Sequence, residues 1–394
     1  MADIIDLLAE AGDVAQLRDR RPEAKENAQA SFAALLEPSA PGTFSYAERY
    51  AIATFVAGIY QAAPAVAFYS DLLAEESEEL AAEIARAVER GTTTGPYAGG
   101  GFTLFDGAPR LAAALDFAHL LSFHPKDASP AAIGHLQAAG WSDDDIVTLG
   151  QLVSFLAFQL RVAHGLSVLA GSAPSAPETT NPRPEQTPEW EPGEGTLVPE
   201  VVKPQGFVAH SLGWKPWVPP QPKEEFTDTQ RDALIKPERI DMEYFRLLAR
   251  DPAALKARTK TDLDIFYNTD GGLGRAEREL AATVVSRFNG CEYCASVHQQ
   301  RSKEEGGDAA AIDRLLDEGV SADLGSEQWS AIRDAALALT ASPFAFDASH
   351  VERLSEAGFD TLAIIDVINS SAFFNWANRL MLTLGEPDVP KRFR

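Results

Sequence analysis

Two cysteines, Cys291 and Cys294, lie three positions apart in this 394-residue chain, and His298 follows four positions later. Side chains at these spacings share one face of a helix, so a helix would bring the three groups together. Asn289-Gly290 is a turn signal, which predicts that a helix begins at Cys291. The positive end of this helix would favour a thiolate in its first turn. The spacing therefore predicts a thiol redox site.

Reduction of a peroxide needs this combination of groups. A thiol must lose its proton before it attacks the O–O bond, and the leaving oxygen must gain one. A second thiol then captures the sulfenic acid as a disulfide. His298 can act as a base or as a cation beside the sulfur. Glu279 lies on a helix predicted over 275–288, which can fold back across the turn and bring a carboxylate to the thiols.

Two other interpretations of these residues remain open. Two cysteines, a His and a Glu can supply four ligands to a metal ion, although structural zinc sites usually draw on two separated pairs. The cysteines can also be an inert buried pair. Glu279 alone is a weak signal, because a glutamate on a helix surface is usually only solvated.

Composition and charge restrict the class of protein. Apolar residues make up 45% of the chain, which is enough for large buried cores. The net charge of −24 argues against nucleic acid or an anionic membrane as a partner. The first residues lack the basic region of a signal peptide, and we expect no transmembrane segment. The sequence therefore predicts a cytoplasmic protein.

Three segments differ in composition. Residues 1–170 are rich in Ala and Leu at helical spacing, residues 171–226 are rich in Pro, and residues 227–394 return to helical spacing. We expect an all-α fold in which 171–226 links two helical domains.

Local signals predict some details of these segments. Ser142 precedes a run of Asp and is expected to cap a helix, and Thr227 with Gln230 has the spacing of a capping box. Trp214 and Trp217 suggest that the end of the linker is an extended strap that packs on a folded domain. A flexible tether is the alternative.

The two helical domains resemble each other. Three blocks of the first recur in the same order in the second, namely 46–60 with 275–289, 81–91 with 309–319, and 135–166 with 352–384. Their offset changes at the glycine-rich segment 95–102, which the second domain lacks. We interpret this as an internal duplication.

The two copies differ at the reactive positions. Glu279, Cys291, Cys294 and His298 correspond in the first copy to Tyr50, Ala62, Ala65 and Tyr69. The first copy therefore keeps the helices and lacks every reactive side chain.

The segment RAERELAATVVSRFNGCEYCASVHQQ resembles the core motif of the alkylhydroperoxidase-D / carboxymuconolactone decarboxylase superfamily. That motif has a Glu twelve residues before C-x-x-C and a His four residues after the second Cys, as here. The resemblance implies an all-helical fold and a peroxidase with a disulfide cycle. It implies that Cys294 is the peroxidatic thiol, that Cys291 resolves it, and that Glu279 and His298 form the proton relay. The best-known members have a His before the second Cys, whereas this chain has Tyr293, as in the peroxidase-related branch.

The expected activity is thiol-dependent reduction of hydrogen peroxide or organic hydroperoxides, with an external thiol, a dithiol or a redox protein as reductant and no bound cofactor. A disulfide reductase or redox relay, a lyase or isomerase of the decarboxylase type, and a binding protein with vestigial cysteines are the alternatives. Members of the family are commonly symmetric oligomers, so we expect a homo-oligomer, either a dimer or three chains arranged as a pseudo-hexamer.

Other candidate residues carry weaker signals. The segment 95–102 lacks the Lys-Ser/Thr of a phosphate-binding loop. Histidines without a ligand spacing are expected at the surface or at helix ends, and these are His119, His124, His135, His164 and His350.

Overall fold

The computed structural model describes residues 3–93, 105–172 and 198–394. The glycine-rich segment 95–102 and residues 173–197 of the proline-rich linker lie outside the described residues. The fold is all-α, as the sequence predicts.

Eighteen α-helices occupy the described residues. They are α1 (Ile4–Ala9), α2 (Val14–Leu17), α3 (Pro22–Leu36), α4 (Tyr46–Ile59), α5 (Ala63–Glu76), α6 (Glu78–Thr93), α7 (Pro109–Phe123), α8 (Pro130–Ala138), α9 (Asp143–Leu169), α10 (Asp228–Ala233), α11 (Glu243–Leu248), α12 (Pro252–Tyr267), α13 (Arg275–Asn289), α14 (Glu292–Glu304), α15 (Ala309–Glu318), α16 (Glu327–Thr340), α17 (Ala348–Glu356) and α18 (Thr361–Thr383). Two short strands, β1 (Gly213–Pro216) and β2 (Gly385–Asp388), pair antiparallel.

Helix starts follow the capping signals in the sequence. Ser142 accepts a hydrogen bond from the backbone N–H of Asp145 at 3.1 Å, which caps α9. Thr227 and Gln230 form a capping box at the start of α10. Both predictions are confirmed. These caps form because they satisfy amides that the first turn of a helix leaves without partners.

The long helices α9 and α18 pack against each other. The ring of Phe155 lies 5.3 Å from that of Trp376, and the ring of Phe158 lies 6.2 Å from that of Phe373. Phe155 and Phe158 are the sequence counterparts of Phe373 and Trp376, so each contact is the reciprocal of the other. A twofold relation between two similar units produces this kind of reciprocity.

Two buried arginines repeat the same relation. The Nη2 group of Arg161 on α9 donates to the backbone oxygen of Thr340 at 3.0 Å. Its counterpart, Arg379 on α18, donates from Nη2 to the backbone oxygen of Ser122 at 3.1 Å. Each arginine therefore ties its own helix to the end of a helix in the other half of the chain.

A second pair of matched arginines acts within each half. Arg49 Nε donates to the backbone oxygen of Phe44 at 2.9 Å, and Arg278 Nε donates to that of Leu273 at 2.8 Å. The two side chains are buried and fix the chain just before α4 and α13. The helix α13, which carries Glu279, is thus held in the same way as α4.

The aromatic residues at the end of the linker pack on the second half of the chain. Trp214 and Trp217 are buried. Trp214 Nε1 donates to the backbone oxygen of Met381 at 2.9 Å, and the N–H of Trp217 donates to that of Leu384 at 2.8 Å. This part of the linker is fastened to the end of α18.

The helix α9 is long and apolar enough to cross a membrane by length and composition alone. Of its most apolar window, 94% is buried inside the protein. Its apolar surface is therefore used in the core.

A buried ion pair joins the two halves of the chain. Asp366 accepts hydrogen bonds from Arg21 at 2.7 and 2.9 Å and lies 3.2 Å from Arg278. Asp366→Ala leaves two buried guanidinium groups without their carboxylate, and we expect the free energy of unfolding to fall by about 3–5 kcal/mol. Denaturant unfolding measures this. Asp232→Ala, which breaks the exposed pair with Lys256, should cost less than about 1 kcal/mol, and equal losses would contradict the interpretation.

Candidate active site

The turn between α13 and α14 places the two cysteines. Gly290 ends α13 with a φ of 81°, a conformation that costs a glycine little. The N–H of Cys291 donates to the backbone oxygen of Ser286 at 2.9 Å, which closes the turn. Helix α14 begins at Glu292, and Cys291 is its N-cap residue. The predicted turn at Asn289-Gly290 is confirmed.

The two thiols are buried and differ in acidity. Cys291 is 2% exposed and Cys294 is 4% exposed, and both are free. Burial raises the pKa of Cys291 well above its ordinary value, and the Cys294 sulfur raises it further. Burial alone would raise the pKa of Cys294 as well, but the hydrogen bond from Cys291 and the charge of His298 bring it below its ordinary value. Cys294 is thus the more acidic of the two thiols, and Cys291 donates a hydrogen bond to it.

This assignment corrects the argument from the helix dipole, which favoured a thiolate at Cys291. The N-terminal position of Cys291 is as predicted, but burial and the adjacent sulfur act against its ionisation. One turn further along α14, Cys294 is close to a cation. A nearby charge outweighs the partial charge of a helix end here.

Glu279 and His298 form a buried acid–base pair. Glu279 is 1% exposed, so it is not a solvated surface glutamate. Its Oε2 atom lies 2.5 Å from His298 Nδ1, and its Oε1 atom accepts a hydrogen bond from Arg275 Nε at 2.7 Å. Among the described residues these are its side-chain partners, so Glu279 bonds to the histidine and to no thiol.

The pKa values of this pair move apart. Burial would raise the pKa of Glu279, but the charges and hydrogen bonds of His298 and Arg275 lower it below its ordinary value. Burial would lower the pKa of His298, and the carboxylate of Glu279 more than offsets this and raises it. The pair is therefore a carboxylate and an imidazolium, with the positive charge directed at Cys294.

Aromatic rings enclose the imidazole. The ring of Phe374 lies 4.2 Å from the ring of His298 in an edge-on arrangement, and the ring of Phe266 lies 6.0 Å from it. Apolar walls of this kind reduce the local dielectric and strengthen the interaction between the charges inside them.

Three further residues of the site were missed by sequence reasoning. Arg258 and Asp262 lie one turn apart on α12, and Asn378 lies on α18. The charge of Arg258 and a hydrogen bond from Asn378 both lower the pKa of Cys294. Burial raises the pKa of Asp262, against the opposing charges of Arg258 and His298. Their spacing carried no signal, since they reach the cysteines only through the packing of α12 and α18.

Arg258 is the most unusual of these residues. It is 6% exposed, and its Nε atom has no hydrogen-bond partner among the described residues. The rings of Tyr244, Phe373 and Trp376 surround its guanidinium carbon at 5.1 to 5.8 Å. A buried cation with few partners is costly unless acidic groups offset it, and the acidic groups that interact with Arg258 include Asp262 and Cys294.

We expect Arg258→Met to raise the pKa of Cys294, because the substitution removes a cation and keeps the length of the side chain. The thiolate absorbance of Cys291→Ser and of Cys291→Ser/Arg258→Met, followed against pH, measures this shift. Arg258→Lys retains the charge and should shift the curve less. Superimposable curves for Met and Arg at this position would show that the charge does not act on the sulfur.

Tyr293 stands beside the thiolate. Burial and the neighbouring sulfurs raise its pKa to about 12, so its phenol is protonated near neutral pH. The side chain can donate a proton in a hydrogen bond but cannot act as the base that a histidine at this position would provide.

The matched positions of the first half hold a different arrangement. Tyr69, the counterpart of His298, donates from its hydroxyl to Gln159 Oε1 at 2.5 Å, and burial raises its pKa. Ala65, the counterpart of Cys294, is buried. This half therefore holds a neutral hydrogen bond where the second half holds the thiolate site.

The other candidates have structural environments. His119, expected at the surface or at a helix end, is 1% exposed within α7, and burial lowers its pKa to about 3. His164 is half-buried and contacts the backbone oxygen of Phe346 at 2.7 Å. Within residues 3–93, 105–172 and 198–394, no group of three or more His, Cys, Asp or Glu side chains is arranged to hold a metal ion.

Comparisons with known proteins find similarity in the part of the chain that carries the thiol site. Residues 252–341 match the carboxymuconolactone decarboxylase family. A solved structure described as an uncharacterized peroxidase-related protein from Silicibacter sp. TM1040 is 26% identical over 44% of this chain and 88% of that chain, with a TM-score of 0.35. No curated protein is similar enough to this chain to match it. The matched residues run from the start of α12 past the end of α16 and include both cysteines, so the part of the chain that carries the thiol site is similar to the carboxymuconolactone decarboxylase family.

Proposed function

We propose that the chain is a thiol-dependent peroxidase that reduces hydrogen peroxide or organic hydroperoxides through a disulfide cycle of Cys291 and Cys294. The observation that carries this proposal is the difference between the two thiols. One sulfur has a pKa below its ordinary value and the other, hydrogen-bonded to it, has a pKa well above. A thiolate nucleophile next to a protonated thiol is what the two steps of such a cycle require.

In the first step, the Cys294 thiolate attacks one oxygen of the peroxide. The S–O bond forms as the O–O bond breaks, so sulfur is oxidised to a sulfenic acid and the second oxygen leaves with the electron pair. This oxygen needs a proton, and the His298 imidazolium is the nearby donor. Glu279 holds the ring through Nδ1, which leaves Nε2 to carry the proton.

In the second step, the Cys291 sulfur attacks the sulfenic sulfur of Cys294. The S–S bond forms, the S–O bond breaks, and the hydroxyl leaves as water with the proton of the Cys291 thiol. Two thiols and one peroxide thus give one disulfide, one alcohol or water from the leaving oxygen, and one water. An external thiol or dithiol then returns the disulfide to the reduced state.

Peroxide consumption in the presence of a dithiol reductant tests this function. We expect turnover of hydrogen peroxide or of an organic hydroperoxide that depends on both cysteines. A disulfide reductase would instead exchange disulfides and leave peroxides untouched. A lyase of the decarboxylase type would act on its substrate after both cysteines are replaced by serine. Either result, without peroxide turnover, would reject the proposal.

We also propose that the two halves arose by duplication and that the first half acts as a scaffold for the thiol site. The reciprocal contacts of α9 with α18 and the matched arginines support this proposal. One of these contacts lies close to the residue that hydrogen-bonds Cys294. Arg379, which binds Ser122 of the first half, also donates to Asn375 Oδ1 at 2.8 Å. The adjacent turn of α18 carries Asn378, which hydrogen-bonds Cys294.

A further inference from the structure

A cavity of about 450 Å³ lies beside Cys291, on the side of the turn between α13 and α14. Gly290 and Glu292, the two residues that flank this cysteine, line it. The fastened end of the linker contributes Lys203 and Phe207, and the first half of the chain contributes Lys126. Three distant parts of the sequence therefore enclose the same space, and its volume is in the range of small-molecule sites.

Three cations line this cavity. Arg287 lies with its guanidinium carbon 4.1 Å from the ring centre of Phe207, and Lys203 lies 3.4 Å from the carboxylate of Glu386. Lys126 is exposed and has no ion pair among the described residues. In a chain of net charge −24, a cavity with three cations is a local site for an anion.

Two carboxyl groups, Glu292 and Glu386, also line the cavity, so the three cations outnumber them by one. Glu292 is half-buried, and burial raises its pKa, although Lys203 and Lys126 act in the opposite direction. Glu386 pairs with Lys203, whereas Glu292 interacts with Lys126 through its charge and forms no ion pair with it.

The chemistry of disulfide reduction indicates a function for a cavity beside Cys291. Thiol–disulfide exchange is faster when the sulfur that leaves has the lower pKa. In the Cys291–Cys294 disulfide that sulfur is Cys294, so an incoming thiolate should attack Cys291. The cavity lies on the Cys291 side, where the side chain of Lys126 packs against Gly290, the residue before this cysteine.

We propose that this cavity binds a small thiol that carries a carboxylate and delivers it to Cys291 as the reductant of the disulfide. This inference rests on the disulfide cycle of the proposed function. The thiolate attacks Cys291 Sγ, the S–S bond breaks, and the electron pair goes to Cys294. A second thiol then attacks the mixed disulfide, releasing the oxidised reductant as its own disulfide, and Cys291 takes up a proton.

The reduction step can be measured separately from the reaction with peroxide. The full-length protein is oxidised with diamide, formation of the disulfide is checked by counting thiols, and its reduction is followed with mercaptosuccinate, which is anionic, and with 2-mercaptoethanol, which is neutral. We expect Lys126→Glu to lower the ratio of the anionic to the neutral rate by about tenfold. Added salt should lower the same ratio in the unmodified protein.

Lys256→Glu is the matched control, because Lys256 is an exposed lysine that pairs with Asp232 on another part of the surface. Its rate ratio should equal that of the unmodified protein. An unchanged ratio in Lys126→Glu would overturn the cavity proposal and leave the peroxidase proposal intact. Failure of any oxidant to form the Cys291–Cys294 disulfide would reject both, and the thiol count taken before reduction tells these outcomes apart.

Discussion

Cys294→Ser should reduce peroxide consumption to the background rate. In Cys291→Ser, each protein molecule should still react with one molecule of peroxide and then stop. The first substitution removes the sulfur whose pKa is lowered by its neighbours. The second leaves this nucleophile in place but removes the thiol that captures the sulfenic acid. Rapid mixing with hydrogen peroxide, followed by trapping of the sulfenic acid and mass measurement, distinguishes the two variants.

The stalled variant also has a predicted difference in acidity. The Cys291 thiol donates a hydrogen bond that lowers the pKa of Cys294. The pKa of Cys294 should therefore differ in Cys291→Ser, and the pH dependence of its single reaction with peroxide should differ with it. The double serine variant serves as the blank for both measurements. The account would be contradicted if Cys294→Ser formed a sulfenic acid at position 291 as fast as Cys291→Ser forms one at position 294. Cys291 would then be able to act as the nucleophile.

Glu279→Gln and His298→Gln should each slow the reaction with peroxide by about a hundredfold to ten-thousandfold, the range for loss of a positioned proton donor. His298 supplies both a proton for the leaving oxygen and a charge that stabilises the Cys294 thiolate. Glu279 acts through the ring by the contact of 2.5 Å. The rate constant for single-turnover oxidation, measured against pH, reports both effects.

The direction of the pH shift follows from the charges. Because the imidazolium favours the thiolate, its loss raises the pKa of Cys294, and the rising part of the rate profile should move to higher pH. Glu277→Gln is the matched control, since Glu277 lies on the same helix and is only half-buried. If the rate constant of His298→Gln fell at every pH but its pH profile did not shift, the charge of His298 would have no effect on the pKa of Cys294. His298 would then act only as a proton donor.

Sequence reasoning reached the parts of this site that depend on local spacing. The turn at Asn289-Gly290, the shared helix of Cys294 and His298, and the partnership with Glu279 all follow from residues within about two helices of one another. These contacts depend on helix geometry, which is regular and can be read from spacing.

The remaining parts depend on packing between distant segments. Arg258 and Asn378 approach Cys294 from α12 and α18, and nothing in the spacing of these residues marks them. The relative acidity of the two thiols could not be read from their spacing for the same reason. The helix start at Cys291 is visible in the sequence, whereas the burial that raises its pKa and the charges that lower the pKa of Cys294 exist only in the folded chain.

Titration of the fully reduced protein with hydrogen peroxide, in the absence of oxygen and of any reductant, is the most direct measurement. The account predicts that one equivalent of peroxide removes two thiols and that peptide mapping finds the Cys291–Cys294 disulfide. It also predicts that this loss is faster in the folded protein than in the unfolded chain, whose thiols have ordinary pKa values. Thiols that persist in the folded protein, or that react no faster than in the unfolded chain, would contradict the claim that this site reduces peroxides.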